Sequence, residues 1–442
     1  MKISVVGAGY VGLVTAACFA EKGHKVICSD NDIKKIKKIK NLVLPFYEPS
    51  LEKFIRKNID KNLSFTTDLQ KSVFETEVTI ITVGTPFKKN GIDLKYIEEI
   101  SREIGKVLRN KTLHHYLIVK STVTPNTCND IVAKLIEEYS FKRNMHDFNV
   151  CMNPEFLREG NAIQDFMEPD RIVLGAESKK AHNFLKSLYS CFDSKNFIMT
   201  NNNTAEMIKY GANSFFATLI SFANEFANLC SKESNIDYLD VLNGITSDKR
   251  ITGLSSPKPD WISYLKPGCG YGGSCFPKDI KSIVKYGKEK GSNMNILRSV
   301  DSTNKNQFKN IINIIYEYFD QLSNLKISIL GLSFKEMTSD MREAPSIPII
   351  KSLHNQKAKI SAYDPKALQE AKKHFKKQEV FFSKSLEDCI KSSDVIIITT
   401  PWKEFLKLPF YLDKLEISPL VIDGRRILNK NSIKNYRAIG LS

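Results

Sequence analysis

The first thirty residues constrain the fold more than any other stretch of the chain. Ile3-Ser4-Val5-Val6 is a short, largely apolar strand that runs without a gap into Gly7-Ala8-Gly9-Tyr10-Val11-Gly12. A helical stretch follows from about Leu13 to Lys22, and Lys25-Val26-Ile27-Cys28-Ser29 reads as a second strand ending at Asp30. Strand, glycine-rich turn, helix and strand in that length make a βαβ unit, and each glycine has a physical use. One permits the tight turn, the next lets a pyrophosphate approach the backbone, and the third lets helix and strand pack closely. The helix N-terminus offers unpaired N–H groups to phosphate. A bare GxGxxG is weak evidence; inside a βαβ unit that ends in an acid it is strong. Asp30 can accept hydrogen bonds from both ribose hydroxyls and repels a 2′-phosphate, so the expected cofactor is NAD rather than NADP. Met1-Lys2 and the apolar run to Ala20 resemble a signal peptide, but Gly7, Gly9, Gly12 and Gly23 argue for strand, turn and helix instead.

Further strands follow. Val78–Val83 ends in Gly84-Thr85-Pro86, and Tyr116–Lys120 ends in Ser121-Thr122-Val123. Near-continuous apolar runs of this kind suit a parallel sheet covered on both faces. Ligands of open α/β sheets bind beyond the carboxyl ends of the strands, so Thr85 and Thr122 are expected at the same crevice as Gly9 and Asp30. From Thr204 to Lys232 the pattern turns helical, with Ala205, Gly211, Ala212, Ala217, Ala223 and Ala227 among Phe and Ile. Such a helix packs tightly, against a neighbouring domain or a second subunit. Lys326–Leu330 then leads into Gly331, Lys359–Tyr363 ends at Asp364, and Asp394–Pro401 echoes Val78–Pro86 with its terminal Thr-Pro. The C-terminal part reads as a degraded copy of the N-terminal one, able in principle to hold a second nucleotide. The expected fold is α/β: two Rossmann-like doubly wound domains joined by a long central helix. The 442 residues allow two or three domains at roughly 100–200 each. The expected division is residues 1–200, 201–320 and 321–442.

An apolar fraction of 42% with 10% aromatics excludes wholesale disorder and fibrous classes. The 65 Lys+Arg against 49 Asp+Glu give a net charge of +16, which suits nucleic acid, an anionic membrane or a phosphorylated small molecule. Lysines are spread along the whole chain, and Lys34-Lys35-Ile36-Lys37-Lys38 fits one solvated helix face. Without a basic–aromatic cluster, nucleic acid is not an expected partner. No apolar run reaches the ~18 residues of a membrane span, because Asn213, Asn224 and Glu225 interrupt Tyr210–Cys230. The nine cysteines (Cys18, Cys28, Cys128, Cys151, Cys191, Cys230, Cys269, Cys275, Cys389) are odd in number, scattered and free of any CxxC pair. Neither a disulfide framework nor a metal site is expected, and the expected compartment is the reducing cytoplasm.

Two segments carry chemistry. In Gly270-Tyr271-Gly272-Gly273-Ser274-Cys275-Phe276-Pro277-Lys278-Asp279 the glycines expose backbone just before a thiol, and Lys278 and Asp279 bring a cation and a base. A thiol near a cation can be held as thiolate and attack an aldehyde carbon. Most cysteines are small buried hydrophobes; this setting singles out Cys275. In Asn153-Pro154-Glu155-Phe156-Leu157-Arg158-Glu159-Gly160 two carboxylates lie four residues apart. On a helix Glu155 and Glu159 would share a face, which would raise one pKa and suit a general base. The position between strand-like Phe148–Met152 and Gly160 favours a loop at the sheet edge.

Gly7–Gly12, Val83-Gly84-Thr85-Pro86, Ser121-Thr122-Val123, Pro154–Gly160, Gly272–Asp279 and Asp423-Gly424-Arg425 together resemble the UDP-glucose/GDP-mannose dehydrogenase family, in order and over nearly the whole chain. The resemblance implies NAD on the N-terminal domain, a nucleotide-sugar held with help from the C-terminal domain, and a dimer or higher homo-oligomer built on the central helix. It implies two successive oxidations of a sugar C6 alcohol, using two NAD⁺. The form of the Pro154–Gly160 segment favours UDP-glucose, giving UDP-glucuronate; GDP-mannose or a UDP-N-acetylhexosamine is the alternative. Cys275 would form a thiohemiacetal and then a thioester, and water activated by Glu155, ordered by Thr122 and Asp279, would hydrolyse it. Lys209, in Glu206–Asn213, sits where the family steadies an oxyanion. Asn213, one turn on, would add a donor on the same face. On its own Lys209 reads as a surface lysine.

The implied cofactor contacts are Gly9, Asp30, Lys35, Thr85, Thr122 and Glu159, with Lys278 and Arg342 facing the cofactor as well; Gly7, Tyr10, Val11 and Gly12 complete the turn. The implied sugar-nucleotide contacts are Glu155, Phe156, Leu157, Lys209, Asn213, Tyr264, Lys266–Gly270, Gly272 and Lys335. Arg250 resembles an arginine that reaches the sugar from a partner subunit, and Arg425 or Arg426 approaches it too. Three departures stand out: extra residues Leu254–Asp260 after Arg250, Pro401-Trp402 where Glu-Trp is usual, and Phe87 after Thr85-Pro86. A NAD-binding regulatory protein that has lost turnover is the alternative of another class; an intact thiol, lysine and carboxylate argue against it.

Overall fold

Apolar runs broken by turn residues form the strands of two separate sheets. The computed structural model describes residues 1–442 apart from 90, 193, 195, 254–258, 377 and 442. They divide into two compact units, Met1–Ala212 and Asn213–Ser442.

The strands of the first unit are β1 (Lys2–Val6), β2 (Lys25–Ser29), β3 (Leu63–Thr66), β4 (Val78–Ile81), β5 (Phe87–Lys88), β6 (Gly91–Ile92), β7 (His115–Val119), β8 (Phe148–Met152), β9 (Ile172–Gly175) and β10 (Phe197–Thr200). Strands β5 and β6 form a small antiparallel hairpin in which Phe87 pairs with Ile92. The other eight make one sheet in the order β10-β9-β8-β7-β4-β1-β2-β3. Only the β8–β9 pair is antiparallel among the strand pairs of this sheet. From β3 to β8 the order is that of a doubly wound dinucleotide fold, reversing direction between β1 and β4. Strands β4 and β7 are buried at every position, as a sheet covered on both faces requires. Helix Tyr10–Glu21 lays Ala16, Ala17 and Ala20 into this core, and small side chains there let helix and sheet approach.

The second unit holds β11 (Lys326–Leu330), β12 (Lys359–Tyr363), β13 (Val380–Phe382), β14 (Val395–Ile398), β15 (Leu420–Asp423) and β16 (Tyr436–Ala438). Their order is β13-β12-β11-β14-β15-β16, parallel throughout. The expected echo of the N-terminal half extends to backbone detail. Gly7 has φ +105° and donates to Ser29 O at 2.7 Å, while Gly331 has φ +95° and donates to Tyr363 O at 2.8 Å. Thr82 Oγ1 donates to Gly7 O at 3.0 Å and Thr399 Oγ1 to Gly331 O at 2.5 Å. The acids that follow, Asp30 and Asp364, differ in use. Asp364 is fully buried and accepts from six donors: the N–H groups of Leu332, Ser333, Lys366 and Ala367, Ser333 Oγ and Trp402 Nε1. Trp402 of the Pro401-Trp402 departure is therefore a structural residue.

The long helix spans Asn202–Cys230 and contributes residues to both units. In the second unit its Phe215, Phe222, Phe226 and Leu229 are 54%, 44%, 41% and 58% exposed. Lys34, Lys35, Lys37 and Lys38 lie on helix Ile33–Lys40, whose buried residues are Ile36 and Ile39. Among the described residues no helix is long and apolar enough to cross a membrane.

Candidate active site

In the first unit the three glycines divide their work as their spacing predicts. Gly7 occupies the left-handed region that closes the turn. Gly9 has open space where a Cβ would stand, and a Cβ on Gly12 would lie 1.7 Å from the Gly7 carbonyl oxygen. Helix Tyr10–Glu21 starts at Gly9 with no side chain capping its N–H groups, which leaves them for an anion. Asp30 accepts from Ala8 N–H (2.8 Å), Asp32 N–H (3.0 Å) and Lys35 Nζ (2.8 Å), which fix it at the end of β2. Thr85 is buried and donates to Thr122 O at 2.7 Å, tying the ends of β4 and β7 together. This open turn, free helix end and anchored acid fit a dinucleotide. A contact that sequence reasoning missed braces it: Tyr10 donates its hydroxyl to Glu48, which also accepts Gly160 N–H at 2.7 Å and Ala162 N–H at 2.8 Å. Glu48 thereby links the glycine turn to the loop after β8.

That loop is irregular, neither helix nor strand, so Glu155 and Glu159 share no helical face, although both are buried. The raised pKa expected for one of a helical pair is corrected at Glu155. Burial pushes its carboxyl up, but Lys209 Nζ at 3.0 Å from Oε1, the Leu157 N–H at 2.7 Å from Oε2 and the charge of Lys120 outweigh it and bring the pKa below the usual value. The reading of Lys209 as a surface residue is corrected too: it is 3% exposed. A backbone N–H and an ammonium against one carboxylate make the buried position tenable. Phe156 lies under two cations, Lys209 at 5.4 Å and Arg171 at 4.1 Å from its ring centre. Leu157 is half-buried against the core. Lys209 was out of reach of pattern reading because its partner lies fifty-odd residues away.

In the second unit Cys275 is the N-cap residue of helix Phe276–Glu289, with Pro277 in the first turn. A helix N-terminus is a position where unpaired N–H groups favour an anion. Its Sγ is 3.5 Å from Ser274 Oγ. Asp279, 1% exposed, takes Lys278 Nζ on Oδ1 at 2.5 Å and Asn213 Nδ2 on Oδ2 at 2.6 Å. Gly272 presses on neighbouring backbone: a Cβ would stand 2.3 Å from Glu343 O. Gly273 donates to Arg342 O at 2.8 Å, and the Arg342 guanidinium pairs with Asp340 at 2.6 Å. Gly268 donates to Asn224 at 2.8 Å.

Of the two candidate arginines, Arg426 is buried in an ion pair with Asp237 at 2.6 Å. Arg425 instead reaches Thr399 O (2.7 Å), Phe334 O (3.3 Å) and Gly270 O (3.5 Å), beside the glycine loop. Lys335 is half-buried next to Phe334, Tyr264 stacks on Phe216 at 4.4 Å, and Lys266 is exposed. The Arg250 side chain is 90% exposed and paired with Asp248 at 2.5 Å. Of the extra segment Leu254–Asp260, residues 254–258 lie outside the described residues.

Residues 1–193 match the NAD binding domain of the UDP-glucose/GDP-mannose dehydrogenase family, residues 203–306 its central domain and residues 328–430 its UDP binding domain. The chain is 38% identical to a UDP-glucose 6-dehydrogenase of Rickettsia bellii, over 98% of this chain and 97% of the relative. It is 37% identical to the UDP-glucose 6-dehydrogenase TuaD of Bacillus subtilis, over 99% and 91%. A solved UDP-glucose dehydrogenase from Pyrobaculum islandicum superposes with a TM-score of 0.90 at 32% identity, covering 100% of this chain and 98% of that one. Three domain matches in sequence, and full-length agreement in both sequence and fold, lead to one conclusion: the chain belongs to the UDP-glucose/GDP-mannose dehydrogenase family.

Proposed function

We propose that the chain oxidises UDP-glucose to UDP-glucuronate in two steps, with two NAD⁺ and one water consumed per sugar. What carries this reading is a pair of buried polar contacts made by one helix. Asn202–Cys230 supplies Lys209 to Glu155 and Asn213 to Asp279, a set that a binding protein has no use for. NAD⁺, when bound, would supply the hydride acceptor for each oxidation. Gly7–Gly12, Asp30, Lys35, Thr85, Thr122 and Glu159 would hold it, with Lys278 and Arg342 facing it.

The chain's own groups handle the oxygen, the sulfur and the protons. Lys209 and Asn213 donate to the C6 oxygen as it gains charge. Cys275 Sγ bonds to C6 of the aldehyde as a thiohemiacetal, so the intermediate stays attached; loss of the second hydride leaves a thioester. Water then bonds to C6, its proton passes to Glu155, and the C6–S bond breaks to return the thiolate. Thr122 and Asp279 order that water. Phe156, Leu157, Tyr264, Lys266–Gly270, Gly272, Lys335 and Arg425 would bind the sugar nucleotide, and Arg250 would reach it in a partner subunit.

The relatives at 37–39% identity that carry the name UDP-glucose 6-dehydrogenase support this substrate over GDP-mannose or an N-acetylhexosamine nucleotide. The exposed Phe215, Phe222, Phe226 and Leu229 support a homodimer, because a monomer seldom leaves such a row in water. We place the chain in the cytoplasm because its nine cysteines are scattered and hold no CxxC pair. The functional division we adopt is 1–200 for cofactor, 201–320 for the helix and thiol loop, and 321–442 for the sugar nucleotide.

The test is NADH formed per UDP-glucose, with the sugar limiting and NAD⁺ in excess. A ratio of two is expected; a ratio of one would stop the reaction at the aldehyde and remove the role of Cys275. No NADH would leave the family standing and the substrate wrong.

A further inference from the structure

Lys120 ends the apolar run of β7, directly before Ser121-Thr122, and it is 4% exposed. Among the described residues its ammonium has one hydrogen-bond partner, the neutral Asn153 Oδ1 at 2.6 Å. Asn153 is held from other sides too. Tyr189 donates its hydroxyl to the same Oδ1 at 2.5 Å, and Asn153 Nδ2 donates to Val173 O at 2.8 Å. The rings of Phe166 and Tyr189 complete the surroundings of the ammonium, their centres 5.2 and 5.7 Å away. A cation so placed is costly, and a leucine of similar size would fill the space without that cost. Packing therefore does not account for it.

The titratable groups that face Lys120 come from four elements: Glu155 from the loop after β8, Lys209 from the long helix, Cys18 from helix Tyr10–Glu21 and Tyr189 from helix Lys179–Tyr189. Burial pushes Cys18 and Tyr189 up, so both stay neutral. The charges left are the carboxylate of Glu155 and the ammonium groups of Lys209 and Lys120. Burial brings Lys120 down to about 8, with Glu155 acting to hold its proton and Lys209 acting against it.

One buried carboxylate with two buried ammonium groups leaves one cation more than an ion pair needs at rest. During turnover Lys209 has a second claimant, the C6 oxygen. When that oxygen gains charge and draws Lys209, Glu155 would be left buried and unpaired, and it would take up a proton before the thioester step needs it. We propose that Lys120 is a positioning residue that supplies the counter-charge for Glu155 while Lys209 serves the sugar oxygen, so that Glu155 stays ionised until water must be deprotonated. Through Asn153, two residues before Glu155, Lys120 also fixes where the carboxylate stands. This role rests on the proposed double oxidation. In the step it protects, water oxygen bonds to C6, the C6–S bond to Cys275 breaks, and the water proton moves to Glu155.

The experiment compares wild type, Lys120→Met, Lys120→Gln and Lys120→Arg in the full chain with UDP-glucose and saturating NAD⁺. The Gln variant keeps a neutral donor for Asn153 and removes only the charge; the Arg variant keeps the charge. Three readouts are taken: the pH profile of kcat, KM for UDP-glucose, and intact mass during turnover for the sugar adduct on Cys275. Both neutral variants should move the acid limb of kcat up by about one pH unit, with kcat on that limb down roughly tenfold, KM little changed and the thioester adduct accumulating. The Arg variant should keep the wild-type limb. If Met does not fold, the Gln variant decides alone. A folded neutral variant with a wild-type acid limb and no adduct overturns the proposal. Absence of NADH from wild type would instead overturn the reaction assigned to the site, so the two failures are told apart.

Discussion

At the scale of single residues, buried charges set one another's titration. Glu155 is the clearest case, because its pKa is set by a contest between burial and Lys209. A lowered carboxyl pKa gives stability that is present above the unfolded value and lost as pH falls through the folded one. Lys209→Met removes the nearest counter-charge, so burial regains weight and the carboxyl moves up. The variant should lose turnover and about 3–5 kcal/mol of stability, the usual cost of breaking a buried pair. Its melting temperature should also fall, relative to wild type, as pH rises from about 5 to 8, which a thermal melt series would read. A parallel loss at every pH would mean that Glu155 does not respond to Lys209. None of this was legible in the chain as written. Glu155 and Glu159 stand four apart, and only the non-helical backbone separates their faces; Lys209 shows as one cation on a helix until the fold brings Glu155 to it. The setting of Cys275, by contrast, is local: the glycines, Lys278 and Asp279 stand beside it in sequence.

Among elements, those whose determinants are local were read most closely. Lys25–Ser29, Phe148–Met152, Lys326–Leu330 and Lys359–Tyr363 have the bounds their apolar runs suggest, and the long helix begins and ends two residues earlier than its pattern implies. Strands β9 and β10 and the β5–β6 hairpin were not read. They are two to four residues long, and pairing to a sheet already built gives them their form. The glycine turn is an element with no tolerance at its third position. Gly12→Ala forces a Cβ into the Gly7 carbonyl, and helix Tyr10–Glu21 would have to move off the sheet. The loss should be at least about 2 kcal/mol, with NAD⁺ affinity down tenfold or more by titration calorimetry. Unchanged affinity would mean that the turn does not place the phosphates.

For the whole molecule, the open question of sequence was what covers the long helix. Its alanines face inward, with Ala217, Ala223 and Ala227 fully buried, while Phe215, Phe222, Phe226 and Leu229 stand in solvent on this single chain. Positions 215, 222, 226 and 229 recur at helical spacing, so they form one stripe. Phe222→Asp together with Phe226→Asp should halve the mass seen by light scattering and leave the far-UV spectrum unchanged; a monomeric wild type would remove the dimer from the proposal. The duplicated architecture was legible from Gly331, Asp364 and the Thr-Pro strand end, because those residues keep their spacing even where the glycines are gone.

The fate of Asp364 has a consequence for how the two halves divide their labour. A carboxylate has about four lone-pair directions, and six donors already converge on this one. Its counterpart Asp30 accepts from three donors and keeps a vacancy. In the second half the matching acid is thus a keystone of its own loop, with no acceptor left over for a ligand hydroxyl. A duplicated fold with one saturated and one unsaturated acid offers an open carboxylate acceptor at the end of β2 and none at the end of β12.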